Sequence, residues 1–465
     1  MYPDQSTICA VSTPPGTGGI AVIRLSGREA VSIADKLFIS KQKGKKLEQQ
    51  PQGTLHFGMF VQEGTLIDEV IVSLFRSPHS YTGEDVVEIS CHGSRYVQQR
   101  LLQALISNGA RLAKPGEFTQ RAFFNGKMDL SQAEAVADLI SSTNAASHRL
   151  ALNQMRGGFS QEINHLREEL IRFIAFIELE LDFSEEDVEF ADRTALVELS
   201  EKIDILLRKL TDSFRLGNAI KNGIPVAIVG ETNVGKSTLL NALLNEEKAI
   251  VSEIQGTTRD VIEDIVNIEG VLFRLADTAG LRETADVIET MGIERTYGKI
   301  EKAEIVLLVV DLAESYETIT NRIVKIRKKL TDQKLIVVGN KVDIFHDSSI
   351  KKLKSFPLKE NEGFVFLSAK KKLNLSELTE KMKHCMSLDT INSEDVIVTN
   401  TRHYEALTLA REAIERVIEG LKTGITGDFL AQDIRECLHY LGEITGAISN
   451  EEVLGHIFKN FCIGK

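Results

Sequence analysis

What the chain lacks narrows it first. None of its 465 residues belong to an apolar run of about 18 or more, the length a membrane-crossing helix needs, so a helical span is not expected. Met1-Tyr2-Pro3-Asp4-Gln5 shows no basic stretch followed by an apolar one; no secretory signal is legible and the expected location is cytoplasmic. The five cysteines, Cys9, Cys91, Cys385, Cys437 and Cys462, have no paired metal-ligand spacing and read as reduced thiols. Positive charge is also in deficit. A net charge of −12 argues against a generally polyanion-binding surface and leaves room only for local basic patches. The lysine clusters within 41–46, 351–354 and 370–372 read as solvated loops and do not locate a nucleic-acid site. What is present suffices for packed cores: 43% of residues are apolar, and the length allows roughly three domains.

The strongest signal is Gly230-Glu231-Thr232-Asn233-Val234-Gly235-Lys236-Ser237, placed after the apolar run 226–229 and before a helical stretch that begins at Thr238. Glycines in such a loop let backbone N–H groups turn inward around phosphates. A lysine at its end reaches the terminal phosphate oxygens, and the following hydroxyl can ligate Mg²⁺. Nucleoside triphosphate binding is the expectation.

Three further tetrapeptides narrow the base to guanine. Asn340-Lys341-Val342-Asp343 follows the strand-like run 335–338, where the Asp343 carboxylate can accept from N1–H and the exocyclic amine of guanine; adenine offers no such donor pair. Ser368-Ala369-Lys370 closes the run 364–367, where small residues let backbone N–H groups approach the base oxygen. Asp277-Thr278-Ala279-Gly280 ends the run 271–276, so Asp277 is placed for the Mg²⁺ shell and the Gly280 N–H for the γ-phosphate. Each motif is weak alone, but all sit where doubly wound sheets bind ligands, at the carboxyl ends of strands.

Between the loop and Asp277 lies Gly256-Thr257-Thr258-Arg259-Asp260, read as a switch segment in which Thr258 binds Mg²⁺ and the γ-phosphate. Leu281 follows Gly280, where small signalling GTPases carry a water-orienting glutamine, and cannot hydrogen-bond. Arg282, Glu283, Asp286 and Glu289 are nearby polar candidates, each also readable as a solvated charge. Asn233 inside the loop could help hold a monovalent cation that supplies the positive charge of an arginine finger.

The fold expected is multidomain α/β. Residues 1–120 alternate short apolar runs, such as 20–25 and 69–75, with Gly and Pro turns and read as an N-terminal α/β domain. Residues 121–222 turn helical: Ser131-Gln132-Ala133-Glu134 reads as a capping box, 166–181 carries apolar residues at helical spacing, and Gly157-Gly158 marks a turn between helices. A P-loop GTPase domain with a mostly parallel sheet is expected over 223–386. Helices return over 387–465, so the G domain reads as an insertion in one helical domain. Ser449-Asn450-Glu451-Glu452 reads as the cap of a last helix, after which Phe461-Cys462-Ile463-Gly464-Lys465 is apolar enough to be docked. Cys462 reads equally as a small buried hydrophobe or as a reactive thiolate beside Lys465.

Thr13-Pro14-Pro15-Gly16-Thr17-Gly18-Gly19-Ile20, Tyr81-Thr82-Gly83-Glu84-Asp85, Pro115-Gly116-Glu117-Phe118-Thr119-Gln120-Arg121-Ala122-Phe123, the inserted G domain and the terminal pentapeptide together resemble the MnmE (TrmE) family over the whole chain. The resemblance implies a GTPase that acts with the FAD-dependent partner MnmG on C5 of the wobble uridine of tRNA, installing a carboxymethylaminomethyl or aminomethyl group. The implied one-carbon donor is a folate, 5-formyl- or 5,10-methylene-tetrahydrofolate, and the family dimerises through its N-terminal domain. It implies folate contacts at Arg24, Glu88, Lys127 and Lys465, and a role for Cys462 in modification. It also implies nucleotide and ion contacts across Asn233, Val234, Gly235, Lys236, Ser237 and Thr238 and across Ser252, Glu253, Ile254, Gln255, Gly256, Thr257 and Thr258. Within these, K⁺ is implied at Asn233, Ser252, Ile254 and Thr257, Mg²⁺ at Ser237 and Thr258, and Glu289 is the residue implied to orient the attacking water. Two departures stand out: Cys91-His92-Gly93-Ser94 where Gly-His-Gly-Gly is frequent, and Glu231-Thr232 where Arg-Pro is common.

A rival of another class is a GTP-switched binding module, for instance in ribosome assembly, that would need neither a folate pocket nor a terminal cysteine. A metabolic kinase is disfavoured, since 340–343 selects guanine and no acceptor site is legible.

Overall fold

The computed structural model describes residues 5–182, 193–246, 264–277, 298, 300–344, 347–359, 361–386, 396–449, 451–459, 461 and 464. They fall into two compact units, each made from separated stretches of chain. One comprises Met1–Ile140, Leu152–Leu207 and Ala406–Lys465; the other comprises Ser141–Ala151 and Arg208–Glu405.

The first unit contains a seven-stranded sheet of β1 (Ile8–Val11), β2 (Gly18–Ser26), β3 (Phe38–Ser40), β4 (Thr54–Gln62), β5 (Thr65–Phe75), β6 (Val86–Gly93) and β7 (Arg111–Leu112), in the order β3-β4-β5-β6-β2-β1-β7. Neighbours are antiparallel except β1 and β7. Side chains alternate between two faces, and the alternation sorts them by chemistry. Ile23, Leu25, Val72, Leu74 and Ile89 are buried, and most pack with Leu101, Ala104 and Leu105 of the helix Arg95–Ser107 and with Ile33 of the helix Ala30–Leu37. The opposite face is partly covered, since Ile8 and Ala10 of β1 pack there with Phe118. It carries the register partners Arg24 and Glu88, with Leu55, Phe57 and Ile71 exposed on the adjoining strands.

Helices complete this unit. The helix Leu130–Ser141 begins earlier than the sequence suggested, and the capping box expected at 131–134 is corrected. Asp129 is the cap: its Oδ1 accepts from the Gln132 backbone N–H at 2.9 Å, and Gln132 Oε1 accepts from the Asp129 N–H at 2.9 Å. This is the same reciprocal chemistry two residues upstream. Ser131, fully buried, instead meets the Ser160 hydroxyl at 2.8 Å, a partner that local spacing cannot reveal. Gly157, at φ +88°, forms the turn before the helix Gly158–Asp182. From the other end of the sequence, Leu454, Phe458 and Phe461 pack with Leu130 and Ala133. Gly116, at φ +68°, has no room for a Cβ, which would meet the Phe458 carbonyl oxygen at 2.6 Å.

The second unit is built on a six-stranded sheet of β8 (Ile224–Val229), β9 (Asp264–Ile268), β10 (Val271–Asp277), β11 (Ile305–Asp311), β12 (Lys334–Asn340) and β13 (Glu362–Phe366), in the order β13-β12-β11-β8-β10-β9. All pairings are parallel except β9 with β10. Strands buried on both faces read as unbroken apolar runs, as in β11, where every residue from Ile305 to Val310 is buried. Ile228 and Leu275 face a core with Leu239 and Leu243 of the helix Lys236–Glu246 and with Leu378 and Met382 of the helix Leu375–Cys385. Ala227, Val306 and Leu308 face a second core with Ile319 and Ile323 of the helix Tyr316–Arg327. Helices on both sides make the sheet doubly wound. Gly230 follows β8, Asp277 ends β10, Asn340 ends β12 and Ser368 lies just past β13. All four motifs therefore stand at one edge of the sheet, as the sequence implied.

Candidate nucleotide site and a second polar site

After β8 the backbone turns through Asn233 at φ +63° and Gly235 at φ +100° before the helix that starts at Lys236. Both residues sit in the left-handed region, where glycine is at ease and asparagine is tolerated better than most. A Cβ on Gly235 would fall 2.3 Å from Asn340 Nδ2, so only glycine fits there. Lys236 Nζ donates to the carbonyl oxygens of Gly230 at 2.8 Å and Glu231 at 2.6 Å, which lays the ammonium over the loop. Ser237 and Thr238 are in the first turn, where unpaired helix N–H groups and the positive end of the helix dipole favour an anion. The cradle, the ammonium and the helix end fit the phosphates of a nucleotide.

The base-reading loops are tied to this cradle by one side chain. Asn340, 3% exposed, donates from Nδ2 to the Val234 carbonyl at 2.8 Å and accepts at Oδ1 from the Ala369 N–H at 3.0 Å. Its amide therefore fastens the phosphate loop to the Ser368-Ala369-Lys370 turn. Sequence reasoning took Asn340 only as part of a guanine motif and missed this brace, because its partner lies 106 positions away. Asp343 is exposed. The Ser368 hydroxyl bonded to it, with Lys371 and Lys370 nearby, holds its carboxyl below the usual aspartate range. It is an ionised acceptor ready for two donors on a base edge. Lys341, at φ +70°, places Nζ 2.5 Å from Asp311 Oδ2, an acidic partner the sequence did not point to.

Asp277 closes β10 in register with Ile228 of β8. The remaining expected residues of this site, Ser252, Glu253, Ile254, Gln255, Gly256, Thr257, Thr258, Thr278, Ala279, Gly280 and Glu289, lie outside the described residues.

In the first unit a second polar site takes shape. Arg24 Nε and Nη2 donate to the same oxygen, Glu88 Oε1, at 2.9 and 2.8 Å. Both side chains are about one quarter exposed or less on the partly covered sheet face. The guanidinium carbon lies 5.4 Å from the centre of the Tyr81 ring and 5.7 Å from that of Phe118. Lys127 Nζ donates to the Pro78 carbonyl at 3.0 Å, on the same loop that carries Tyr81. Gly464, at φ +96°, docks on β1: a Cβ there would lie 2.3 Å from the Val11 oxygen, and Ser12 Oγ donates to the Gly464 carbonyl at 3.1 Å. The structure thus pairs Arg24 with Glu88 and ties Lys127, which follows the helix Glu117–Phe124, to the loop that carries Tyr81, while Cys462 and Lys465 lie outside the described residues. A guanidinium and a carboxylate side by side beside two aromatic rings offer donor and acceptor edges to a polar ligand. Burial pushes the thiols of Cys9 and Cys91 up to about 11 and that of Cys437 up to about 12, which leaves them protonated and unreactive.

Comparison with known proteins places the chain in a family. Residues 130–462 match the family model for the MnmE helical domain, and residues 7–127 match that for the GTP-binding protein TrmE N-terminus. The tRNA modification GTPase MnmE of Bacteroides fragilis is 56% identical over 466 residues, covering 99% of this chain and all of that protein. Its namesake from Parabacteroides distasonis is 56% identical over 465 residues with the same coverage. Among solved structures, Aquifex aeolicus Era bound to GDP·AlF4⁻ is 28% identical over 40% of this chain and 65% of its own, with a TM-score of 0.26.

Proposed function

The chain belongs to the MnmE (TrmE) family of tRNA modification GTPases, and we propose that it hydrolyses GTP in a K⁺-stimulated, dimerisation-activated cycle coupled to a folate-dependent modification of tRNA. GTP hydrolysis itself follows from that membership. In the proposed cycle Asp343 accepts from guanine, Lys236 leaves its carbonyl partners for the phosphates, and the Ser237 hydroxyl holds Mg²⁺. Bound Mg²⁺ and K⁺ would supply positive charge against the phosphates. Asn233, exposed and left-handed on the loop, is the described residue for K⁺; Ser252, Ile254, Thr257, Thr258 and Glu289 complete the assignment from the family.

For the modification half, the chain would act with the FAD-dependent partner MnmG to add a carboxymethylaminomethyl or aminomethyl group at C5 of the wobble uridine, with a tetrahydrofolate as one-carbon source. Arg24, Glu88, Lys127 and Lys465 would hold the folate, and Cys462 would take part in modification. Homodimer formation is supported by the exposed Leu55, Phe57 and Ile71, an apolar sheet face of the kind that self-association covers. The division 1–120, 121–222, 223–386 and 387–465, with the G domain inserted in a helical domain, belongs to the same proposal.

The Arg24–Glu88 pair beside Tyr81 and Phe118 is the observation that supports the folate half of the reading. Titration of the full chain with 5-formyl-tetrahydrofolate tests it. Saturable binding that weakens measurably in Arg24→Gln and Glu88→Gln is expected, and no binding by the unaltered chain would remove the folate half of the proposal.

A further inference from the structure

The loop 76–85 has more anchorage than a connection between two strands needs. Arg76 pairs with Asp85 at 3.0 Å, and Asp85 also accepts from the Ser77 N–H at 2.9 Å. Ser80 Oγ donates to the Glu84 carbonyl at 2.6 Å. Fully buried Thr82 meets fully buried Ser26 at 2.7 Å, and its carbonyl accepts from Asn125 at 2.7 Å. Glu84 receives the Ser26 hydroxyl at 2.6 Å and Arg121 Nη1 at 3.0 Å; Arg121, 1% exposed, also reaches the Ser6 carbonyl at 2.8 Å. These anchors flank one residue, Tyr81, whose hydroxyl is bonded to Thr119 at 2.8 Å and whose ring packs with Phe118.

The outcome of that anchorage is a fixed aromatic surface beside Arg24. A guanidinium within about 6 Å of a ring centroid is attracted to the ring face, and Arg24 lies inside that distance of both Tyr81 and Phe118. A long arginine side chain otherwise has many rotamers, and that freedom is lost when a ligand binds. We infer that Tyr81 is a positioning residue of the Arg24–Glu88 site, its ring seating the Arg24 guanidinium so that the ion pair is preformed for the ligand. The identity of that ligand rests on the folate reading, whereas the seat rests on geometry alone. Within the Tyr81-Thr82-Gly83-Glu84-Asp85 motif, the residues after Tyr81 lock the loop and Tyr81 presents the ring. Gly83, at φ +79° with Asn125 Cβ only 3.1 Å from a would-be Cβ, allows the loop to close that tightly.

The test uses the full chain, with 5-formyl-tetrahydrofolate as probe and arginine side-chain NMR as a second measurement. Tyr81→Phe keeps the ring and is expected to bind within about twofold of the unaltered chain. Tyr81→Leu removes the ring and is expected to weaken binding on the order of tenfold. Combined with Arg24→Gln, it should add little to the loss from Arg24→Gln alone, because the ring acts through that arginine. Wild-type affinity in Tyr81→Leu, or losses that simply multiply in the double variant, would overturn the inference. If Arg24→Gln itself leaves folate binding unchanged, the folate reading fails. The seat is then judged by the Arg24 Nε–H resonance, which should move in Tyr81→Leu and stay in Tyr81→Phe; a resonance unmoved in both overturns it.

Discussion

Val234 and Asn340 are joined by a single 2.8 Å hydrogen bond from a buried amide to a backbone carbonyl, and through it the loop proposed to meet phosphates shares its position with the loop proposed to meet the base. Removing the amide leaves a buried carbonyl and the Ala369 N–H without their partner, a cost of about 1–3 kcal/mol for each unsatisfied group. Asn340→Ala is therefore expected to weaken GDP and GTP alike by roughly ten- to a hundredfold. Gly235→Ala should do the same from the other side of the contact, because its methyl displaces Nδ2. Titration with a fluorescent GDP analogue checks both, and unchanged affinity in either would show that the brace is dispensable.

In the proposed site Asp343 sets the base. As an ionised acceptor it suits the paired donors of guanine, whereas an asparagine would present an N–H and suit the additional oxygen of xanthine. Asp343→Asn is expected to lose GTP and gain XTP, each by at least about a hundredfold, in competition binding. Because Ser368 and the neighbouring lysines hold the carboxyl below its ordinary value, GTP affinity in the parent should persist as pH falls to the usual aspartate range.

The proposed cation dependence predicts faster GTP hydrolysis in K⁺ than in Na⁺ at equal ionic strength. Asn233→Ala should erase most of the difference while leaving GDP affinity within about threefold. Steady-state phosphate release in the two salts decides this, and equal rates in the parent would remove K⁺ from the mechanism.

Glu117 makes a pH-dependent contribution to the stability of the first unit. Burial alone would push its carboxyl up, but Arg111 at 2.5 and 2.8 Å, the Lys114 N–H and Arg121 reverse the effect, and the net shift is below its ordinary 4.5. A depressed folded value means the contribution is complete above the ordinary value and is lost as pH falls through the lower, folded one. Glu117→Gln should cost about 3 kcal/mol near neutrality, with the gap to the parent shrinking in acid. Urea unfolding followed between about pH 3 and 7 measures it, and a gap that does not change with pH would exclude the assignment.

The placement of the four motifs at strand ends was legible because each element is local: a strand, then a loop whose residue types have few other uses, then, for the first motif, a helix. The doubly wound sheet followed from the same pattern. What escaped the sequence depends on residues far apart. Asp129 rather than Ser131 caps the helix Leu130–Ser141, since Ser131 is engaged by Ser160 from a later helix. Asn340 is a brace only because Val234 comes to it, and Lys341 has Asp311 at its side only because β11 and β12 are neighbours. In the first unit, Arg24 and Glu88 stand alone in the sequence and become a pair through antiparallel register between β2 and β6. The aromatic seat under Arg24 needed a loop and a helix start whose spacing carries no sign of each other.

The packing of Leu454 and Phe458 on Leu130 and Ala133 also has a consequence in time. A chain emerging from a ribosome presents the second pair several hundred positions before the first, so the seam between them must wait until Leu454 and Phe458 have been made. Contacts of such sequence separation are slow to close and leave sticky intermediates. Shortened products that stop before Leu454 would leave Leu130 and Ala133 without these partners.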